Sequence, residues 1–290
     1  MVSTEDLNRY VKSYKKDGFV IVPGLIRSTD LEPLRAAAEI VTERARKHEW
    51  KQVRVVGKQF PPWTEEDDIW GVQNIMHPEL GQDIFREWYG RHDMLQISAA
   101  LMGCELGDMQ FELFNMLINP LRARYGLSWH RDDVKATATA EEEEEALKID
   151  HHGIQWNAAL YDDECLSAIP GSHSRIRTSE EREANLSGGS MPGSVPVALK
   201  AGETVFYNNN ILHVGKYTPE TKRRTLHGCY GSPPVGDDTR ARNILQHDLS
   251  YTRDPAFREL VSDDLKPMLD KLNSWQRRFE GVEIGYSQDL

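Results

Sequence analysis

Apolar residues recur at every third or fourth position from about Asp30 to Lys47, where Leu31, Leu34, Ala38 and Val41 share one face. That period predicts an amphipathic helix. Thr29 and Glu32 stand at capping-box spacing at its start. Just upstream, "DGFVIVPGLI" (Asp17–Ile26) is a short apolar run closed by Pro23-Gly24, which predicts a buried strand. The segment 50–72, containing "QFPPWTEEDDIWG", shows neither period and reads as an irregular, aromatic-bearing loop. A second amphipathic helix is predicted over Glu79–Met102, with Ile84, Trp88 and Leu95 facing the core.

From Met109 the pattern changes to strands. "MQFELFNMLINP" is stopped by Pro120, and "GIQWNAALYDD" (Gly153–Asp163), "SVPVAL" (Ser194–Leu199), "ETVFYNNNILHVG" (Glu203–Gly215) and "RRTLHGCYG" (Arg223–Gly231) follow. Turn compositions, "IPGSHSR" and "NLSGGSMPGS", separate them. Helical spacing returns after Asp254, with Leu265, Leu269, Leu272, Trp275 and Phe279 in phase. Helices, then strands, then helices predict an α+β chain with an antiparallel sheet or barrel. A single domain is expected over 1–290: a helical part to about 105, a strand core of about 106–235, and a helical extension of about 250–282. The run Glu141–Glu145 is a like-charge block and reads as a solvated, mobile loop at the pocket lip.

Composition narrows the function. With 35 Lys+Arg against 46 Asp+Glu the net charge is −11, which disfavours nucleic acid and anionic membrane as partners. It also weighs mildly against a very anionic substrate. No apolar run approaches the ~20 residues of a membrane span, and "MVSTEDLNRYVKSYKKDG" has no apolar signal core. The expected location is the cytoplasm. Cys104, Cys165 and Cys229 are far apart and form no C-x-x-C pair, so reduced thiols are expected.

"GLSWHRDDVKATATAEEEEE" carries the first chemistry. Residues i and i+2 of a strand share a face, so His130 and Asp132 would stand side by side while Arg131 points away. Alone, H-x-D is far more often local polarity than a metal-ligand pair or an acid–base fragment. A distant third ligand would make it a 2-His-1-carboxylate triad, which leaves three positions open on non-haem Fe(II). His213 lies near a turn downstream, and Arg223-Arg224 enters the next strand. A buried arginine beside a metal calls for an anion, and its fork suits a carboxylate such as that of 2-oxoglutarate.

These motifs in this order resemble the phytanoyl-CoA dioxygenase-like Fe(II)/2-oxoglutarate oxygenases. The resemblance runs from "YKKDGFVIVPGLI" through "FNMLINP", H-x-D and "WNAALYDDECLSAIPGSHSR" to the G-E-T-V-F-Y…H…R block. It implies a double-stranded β-helix (jelly-roll) core, with His130, Asp132 and His213 holding iron. It implies too that Arg224, 11 residues after His213, binds the distal carboxylate of 2-oxoglutarate, and that Arg223 faces the opposite, solvated side. Trp156 matches a tryptophan near the cosubstrate, although a core aromatic fits it equally. Pro170-Gly171-Ser172-His173 matches a segment that shapes the pocket without ligating metal.

The implied reaction consumes O2 and 2-oxoglutarate, releases succinate and CO2, and oxidises a small organic molecule. Hydroxylation is favoured, with desaturation or rearrangement open, and a homodimer is compatible with it. Alternatives are an acyl-CoA hydroxylase, a non-catalytic metal-binding sensor, and a zinc hydrolase, which would not explain Arg224. Two departures stand out. His213-Val214-Gly215 replaces the usual H-G-S, and the loop between "YDD" and "PGSH" is short. Adjacent His151-His152 point opposite ways on a strand and are not expected to share an ion. Asp133 should face away from Asp132.

Overall fold

A computed structural model describes residues 2–60, 68–148, 153–232, 240 and 244–283; His151 and His152 lie outside them. Helix α1 (Thr4–Asp17) starts where the Ser3 hydroxyl accepts the Asp6 N–H and stops at Gly18, which takes a left-handed φ of 80°. Strand β1 (Phe19–Val22) follows, then α2 (Ser28–Arg46). The expected capping box is not used there. Arg27 is the N-cap, the Thr29 hydroxyl turns to Asp30, and Glu32 pairs with Arg35 at 2.6 Å.

Segment 50–72 holds two paired strands instead of loop alone, β2 (Val53–Val55) and β3 (Ile69–Val72). Strands this short show no readable period. The helix expected over Glu79–Met102 is two helices, α3 (Asp83–Tyr89) and α4 (His92–Met102). They part at Gly90, where a Cβ would stand 2.7 Å from Leu265 Cδ1.

The strand block comprises β4 (Gln110–Ile118), β5 (Tyr125–Gly126), β6 (Gly153–Ala159), β7 (Asp163–Ala168), β8 (Val195–Leu199), β9 (Thr204–Asn208), β10 (His213–Tyr217) and β11 (Arg224–Gly231). Among the described residues they form two antiparallel sheets, ordered β1-β9-β6-β11-β4-β3-β2 and β5-β10-β7-β8. Four strands from each (β4, β11, β6, β9 and β5, β10, β7, β8) make a jelly-roll wound between the sheets. The expected fold class is borne out, with β1 and the β2–β3 pair extending the larger sheet at its two edges.

Helices cover the outer face of the larger sheet. There Trp156 is fully buried against Trp88, Phe114 and Tyr89, ring centroids 5.0, 5.1 and 6.2 Å away. Trp156 therefore belongs to this core and does not line the pocket. Its cross-strand partner is Gly228, where a Cβ would overlap the indole. Gly228→Ala is expected to destabilise the fold by about 2 kcal/mol, the cost of overpacking. A urea melt should show a lower midpoint with an unchanged slope; an unchanged midpoint would mean that Trp156 yields freely.

The acidic run is not a loop. Residues 140–147 form α5 (Ala140–Leu147), and Thr139 and Glu142 close a reciprocal capping box. Glu143 at its centre is 0% exposed. Helix α6 (Ser179–Ser187) packs nearby, and α7 (Pro255–Leu260) and α8 (Leu265–Arg278) complete the chain, with α8 burying Leu265, Leu269 and Leu272.

Candidate metal centre and cosubstrate pocket

The first ligand pair is built by backbone pairing between the start of β10 and the segment that follows β5. His130 and His213 form an isolated β-bridge, each donating its N–H to the other's carbonyl at 3.1 Å. Their rings are thereby held with centroids 4.3 Å apart. The Asp132 N–H donates to Asn209 O at 3.0 Å and fixes the third side chain. One ligand atom from each of His130, Asp132 and His213 lies within 4.8 Å of the others. His130 Nε2 is 3.7 Å from Asp132 Oδ1, and His213 Nε2 is 4.0 Å from Asp132 Oδ2.

The ring orientations suit a cation. His130 Nδ1 donates to Ser128 O at 2.8 Å and His213 Nδ1 to Ile211 O at 2.9 Å, so both Nε2 lone pairs face the carboxylate. Burial, reinforced by His213, pushes His130 well below the usual histidine range, so its imidazole is neutral and ready to ligate. Burial raises the Asp132 carboxyl, with Asp133 adding to it, against the pull of His213, Arg240 and the Gln155 amide. Gln155 donates to Asp132 Oδ2, and the Tyr207 hydroxyl donates to Gln155 Oε1 at 3.3 Å. Tyr207 and Gln155, which the sequence reading missed, thus orient the carboxylate. Their signal was the alternation of β6 and β9, which turns both toward the smaller sheet.

The triad lines a cavity of about 860 Å³ counted with its open mouth. Leu113, Leu117, Leu127 and Phe60 give it apolar wall; Arg54, Asn157, Arg223, His227, Arg240 and His247 give it polar groups. Strand β11 alternates, so residues 223, 225, 227 and 229 share one face and 224, 226, 228 and 230 the other. This register reverses the expected roles of the two arginines as to facing. Arg223, expected in solvent, is 3% exposed and lines the cavity. Arg224 points to the helix-covered face, where it meets Glu39 of α2 at 2.8 Å and Asn119 Oδ1 at 3.0 Å.

Arg223 is held by one edge. Its Nε donates to Asp163 Oδ2 at 2.8 Å and to Thr225 Oγ1 at 3.2 Å, and its guanidinium lies 4.8 Å over the Tyr217 ring. Its buried Nη1 has no hydrogen-bond partner. Burial alone would raise the Asp163 carboxyl, but Arg223, Thr225 and the Cys165 N–H outweigh it and hold the group low. The guanidinium is thus a charged fork whose buried Nη1 is left over in the triad's own cavity.

The remaining predicted residues sort clearly. Gly215 lines the cavity where the resemblance leads one to expect serine, and the Tyr217 hydroxyl lies 3.0 Å from where a Cβ on it would stand. The Pro170–His173 segment does not line the cavity. Ser172 instead braces it from behind, accepting the Leu212 N–H on Oγ at 2.8 Å and the Arg131 Nη1 on its carbonyl at 2.8 Å. Asp133 turns to Arg240, 3.7 Å off, and Arg240 is bound bidentately by Glu112. The three cysteines are free thiols.

A jelly-roll with two histidines and one carboxylate at the mouth of its barrel defines the non-haem iron oxygenase class. The family model for phytanoyl-CoA dioxygenase (PhyH) matches residues 14–224, and the chain belongs to this family. It is an Fe(II)/2-oxoglutarate-dependent oxygenase, using O2. Three solved structures share the fold at low identity. AviO1 from Streptomyces viridochromogenes Tue57 is 19% identical with a TM-score of 0.58, over 80% of this chain and 99% of its own. The non-haem α-ketoglutarate-dependent epimerase SnoN from nogalamycin biosynthesis is 19% identical, TM-score 0.55, over 82% and 87%. EctD from S. alaskensis, solved with 2-oxoglutarate and 5-hydroxyectoine, is 16% identical, TM-score 0.56, over 80% and 76%. A search of the curated proteins gives no significant match. Among the described residues no helix is long and apolar enough to cross a membrane.

Proposed function

We propose that His130, Asp132 and His213 hold the iron, that Arg223 takes the distal carboxylate of 2-oxoglutarate, and that the chain oxidises a small organic metabolite, hydroxylation being the favoured outcome. The observation that carries this reading is the unpartnered Nη1 of buried Arg223 in the same cavity as the triad. A buried guanidinium donor without an acceptor is costly, and a carboxylate would satisfy it bidentately with Nη1 and its neighbour. The donor set fits iron: two neutral imidazoles and one carboxylate form one face and leave the other face open.

Iron loaded with 2-oxoglutarate and O2 supplies the oxidising power, 2-oxoglutarate leaving as succinate and CO2. The chain's residues do the rest. Tyr207 and Gln155 keep Asp132 aimed. Ser128 and Ile211 hold the imidazole tautomers, and the leucines with Phe60 exclude water from the reacting volume. A metabolite is favoured over an acyl-CoA because the polar groups extend beyond the triad into the cavity wall. Two neighbours of the same fold, SnoN in complex with nogalamycin RO and EctD with 5-hydroxyectoine, support that preference.

Anaerobic addition of Fe(II) and then 2-oxoglutarate is expected to produce a visible charge-transfer absorption, and admitting O2 should release succinate. Absence of the absorption sinks the reading. Turnover that continues without O2 would point to a metal-dependent hydrolase.

A further inference from the structure

Two histidines outside the triad line the same cavity, His227 on β11 and His247 beyond residue 244. His227 Nδ1 is 2.8 Å from Asn157 Oδ1, and His247 Nδ1 is 3.2 Å from Gln73 Oε1. An amide oxygen only accepts, so each Nδ1 keeps its proton and donates it. In a neutral ring this leaves Nε2 as a bare lone pair. Among the described residues no donor hydrogen-bonds either Nε2.

Burial, then Arg54 and Arg223, pushes His227 well below the usual range, and burial with Arg54 and Arg240 takes His247 to about 3. Both rings are therefore acceptors at neutral pH, and the nearby arginines make a cationic occupant unfavourable. Both histidines lie after residue 224, where the family match ends.

We infer that His227 and His247 are a substrate-recognition pair that accepts hydrogen bonds from two O–H or N–H groups of a neutral or anionic, hydroxylated small molecule. The inference rests on the oxygenase reading of the cavity and names its substrate class. A saturated acyl chain has no donor to offer. Filling the cavity with one would leave two buried acceptors dehydrated and unpaired, a loss that a hydroxylated ligand avoids. The leucines beside them hold the carbon skeleton, so the pocket selects by where donors sit on it.

The test is long-range 1H–15N NMR of the histidine rings in full-length protein loaded with Zn(II), a diamagnetic and inert stand-in for iron, and 2-oxoglutarate. The probes are trans-cyclohexane-1,2-diol and its dimethyl ether, equal in skeleton and different only in donors. At neutral pH both rings should show Nδ1–H and unprotonated Nε2. The diol should shift both Nε2 resonances while the ether does not, and His227→Phe or His247→Phe should each weaken diol binding about five-fold. A ring found cationic or carrying its proton on Nε2 overturns the inference. So does the same response to diol and ether, no response to either included. The wild-type spectra decide the matter even if a variant does not fold. The Fe(II)/2-oxoglutarate absorption is measured in parallel: its loss sinks the oxygenase reading, and its presence beside a failed NMR test sinks only the histidine pair.

Discussion

Arg223→Met is expected to weaken 2-oxoglutarate binding about 100-fold, or ~2.7 kcal/mol, while Arg224→Met changes it less than about three-fold. The difference follows from facing. Arg223 shares the cavity with the triad and has a buried Nη1 awaiting an acceptor. Arg224 spends its fork on Glu39 and Asn119, on the other side of the sheet. Losing Arg224 should therefore show as instability, because Asn119 Oδ1 and the Glu39 carboxylate lose its fork and Glu39 is left with Lys222. Arg223→Met also strands the buried Asp163, so a fall in affinity must be separated from partial unfolding. Arg223→Lys makes that separation. A lysine keeps a charge beside Asp163 and should recover most of the melting temperature. It lacks the planar fork, and should leave 2-oxoglutarate affinity well below wild type. The measurement is the charge-transfer titration against 2-oxoglutarate, with thermal melts alongside. Should Arg224→Met lose as much affinity as Arg223→Met, the assignment of Arg223 is wrong.

The reversal of these two arginines shows what the sequence carries and what it hides. Counting 11 residues from His213 selects Arg224, yet side-chain direction in a strand depends on parity, and a slip of one residue exchanges the faces. The parity was legible. Leu226 and Tyr230 have the phase of Arg224 and belong to an apolar face, while Thr225, His227 and Cys229 have the phase of Arg223. The same alternation carries Trp156 to the core and Gln155 to Asp132, because Trp156 pairs with Gly228 and Gln155 with Cys229. The strands, the H-x-D pair and the third histidine could be read locally because their periods and spacings are short-range. The break at Gly90 could not, since it depends on Leu265 and Ser262 arriving from the far end of the chain. The pairing of His247 with Gln73 spans 174 residues and left no local trace.

The glutamate run departs from the loop its charge predicts for a related reason, and it yields the second large effect. Glu143→Gln is expected to destabilise the fold by about 3–5 kcal/mol, lowering the melting temperature by roughly 10 °C. Glu144→Gln, on the exposed side of α5, should stay within about 0.5 kcal/mol of wild type. Thr139 and Glu142 announced the helix, but nothing nearby announced what Glu143 meets. Its carboxylate accepts Arg131 Nε and Arg177 Nε at 2.9 Å each, the Arg177 N–H at 3.2 Å, and Arg182 Nη2. Arg131 and Arg177 are 1% and 3% exposed, so neutralising the glutamate takes from two buried cations the carboxylate they share. Breaking a buried ion pair from one side costs far more than the pair contributes, which is why the isosteric glutamine suffices. The damage should reach the metal. Arg131 stands between His130 and Asp132 and is anchored further by the carbonyls of Ser172, Asn210 and Arg175. Arg131 turns its side chain into this cluster as its neighbours turn theirs to the cavity, so the cluster fixes the backbone from which two ligands project. Loosening it should cut Fe(II) affinity about 10-fold or more, as loss of support behind metal ligands does. Titration of Fe(II) below the variant's melting range reads this directly. Equal melting temperatures for Glu143→Gln and Glu144→Gln would refute the stability effect. A fall in melting temperature with unchanged iron affinity would confine the cluster to holding α5 in place.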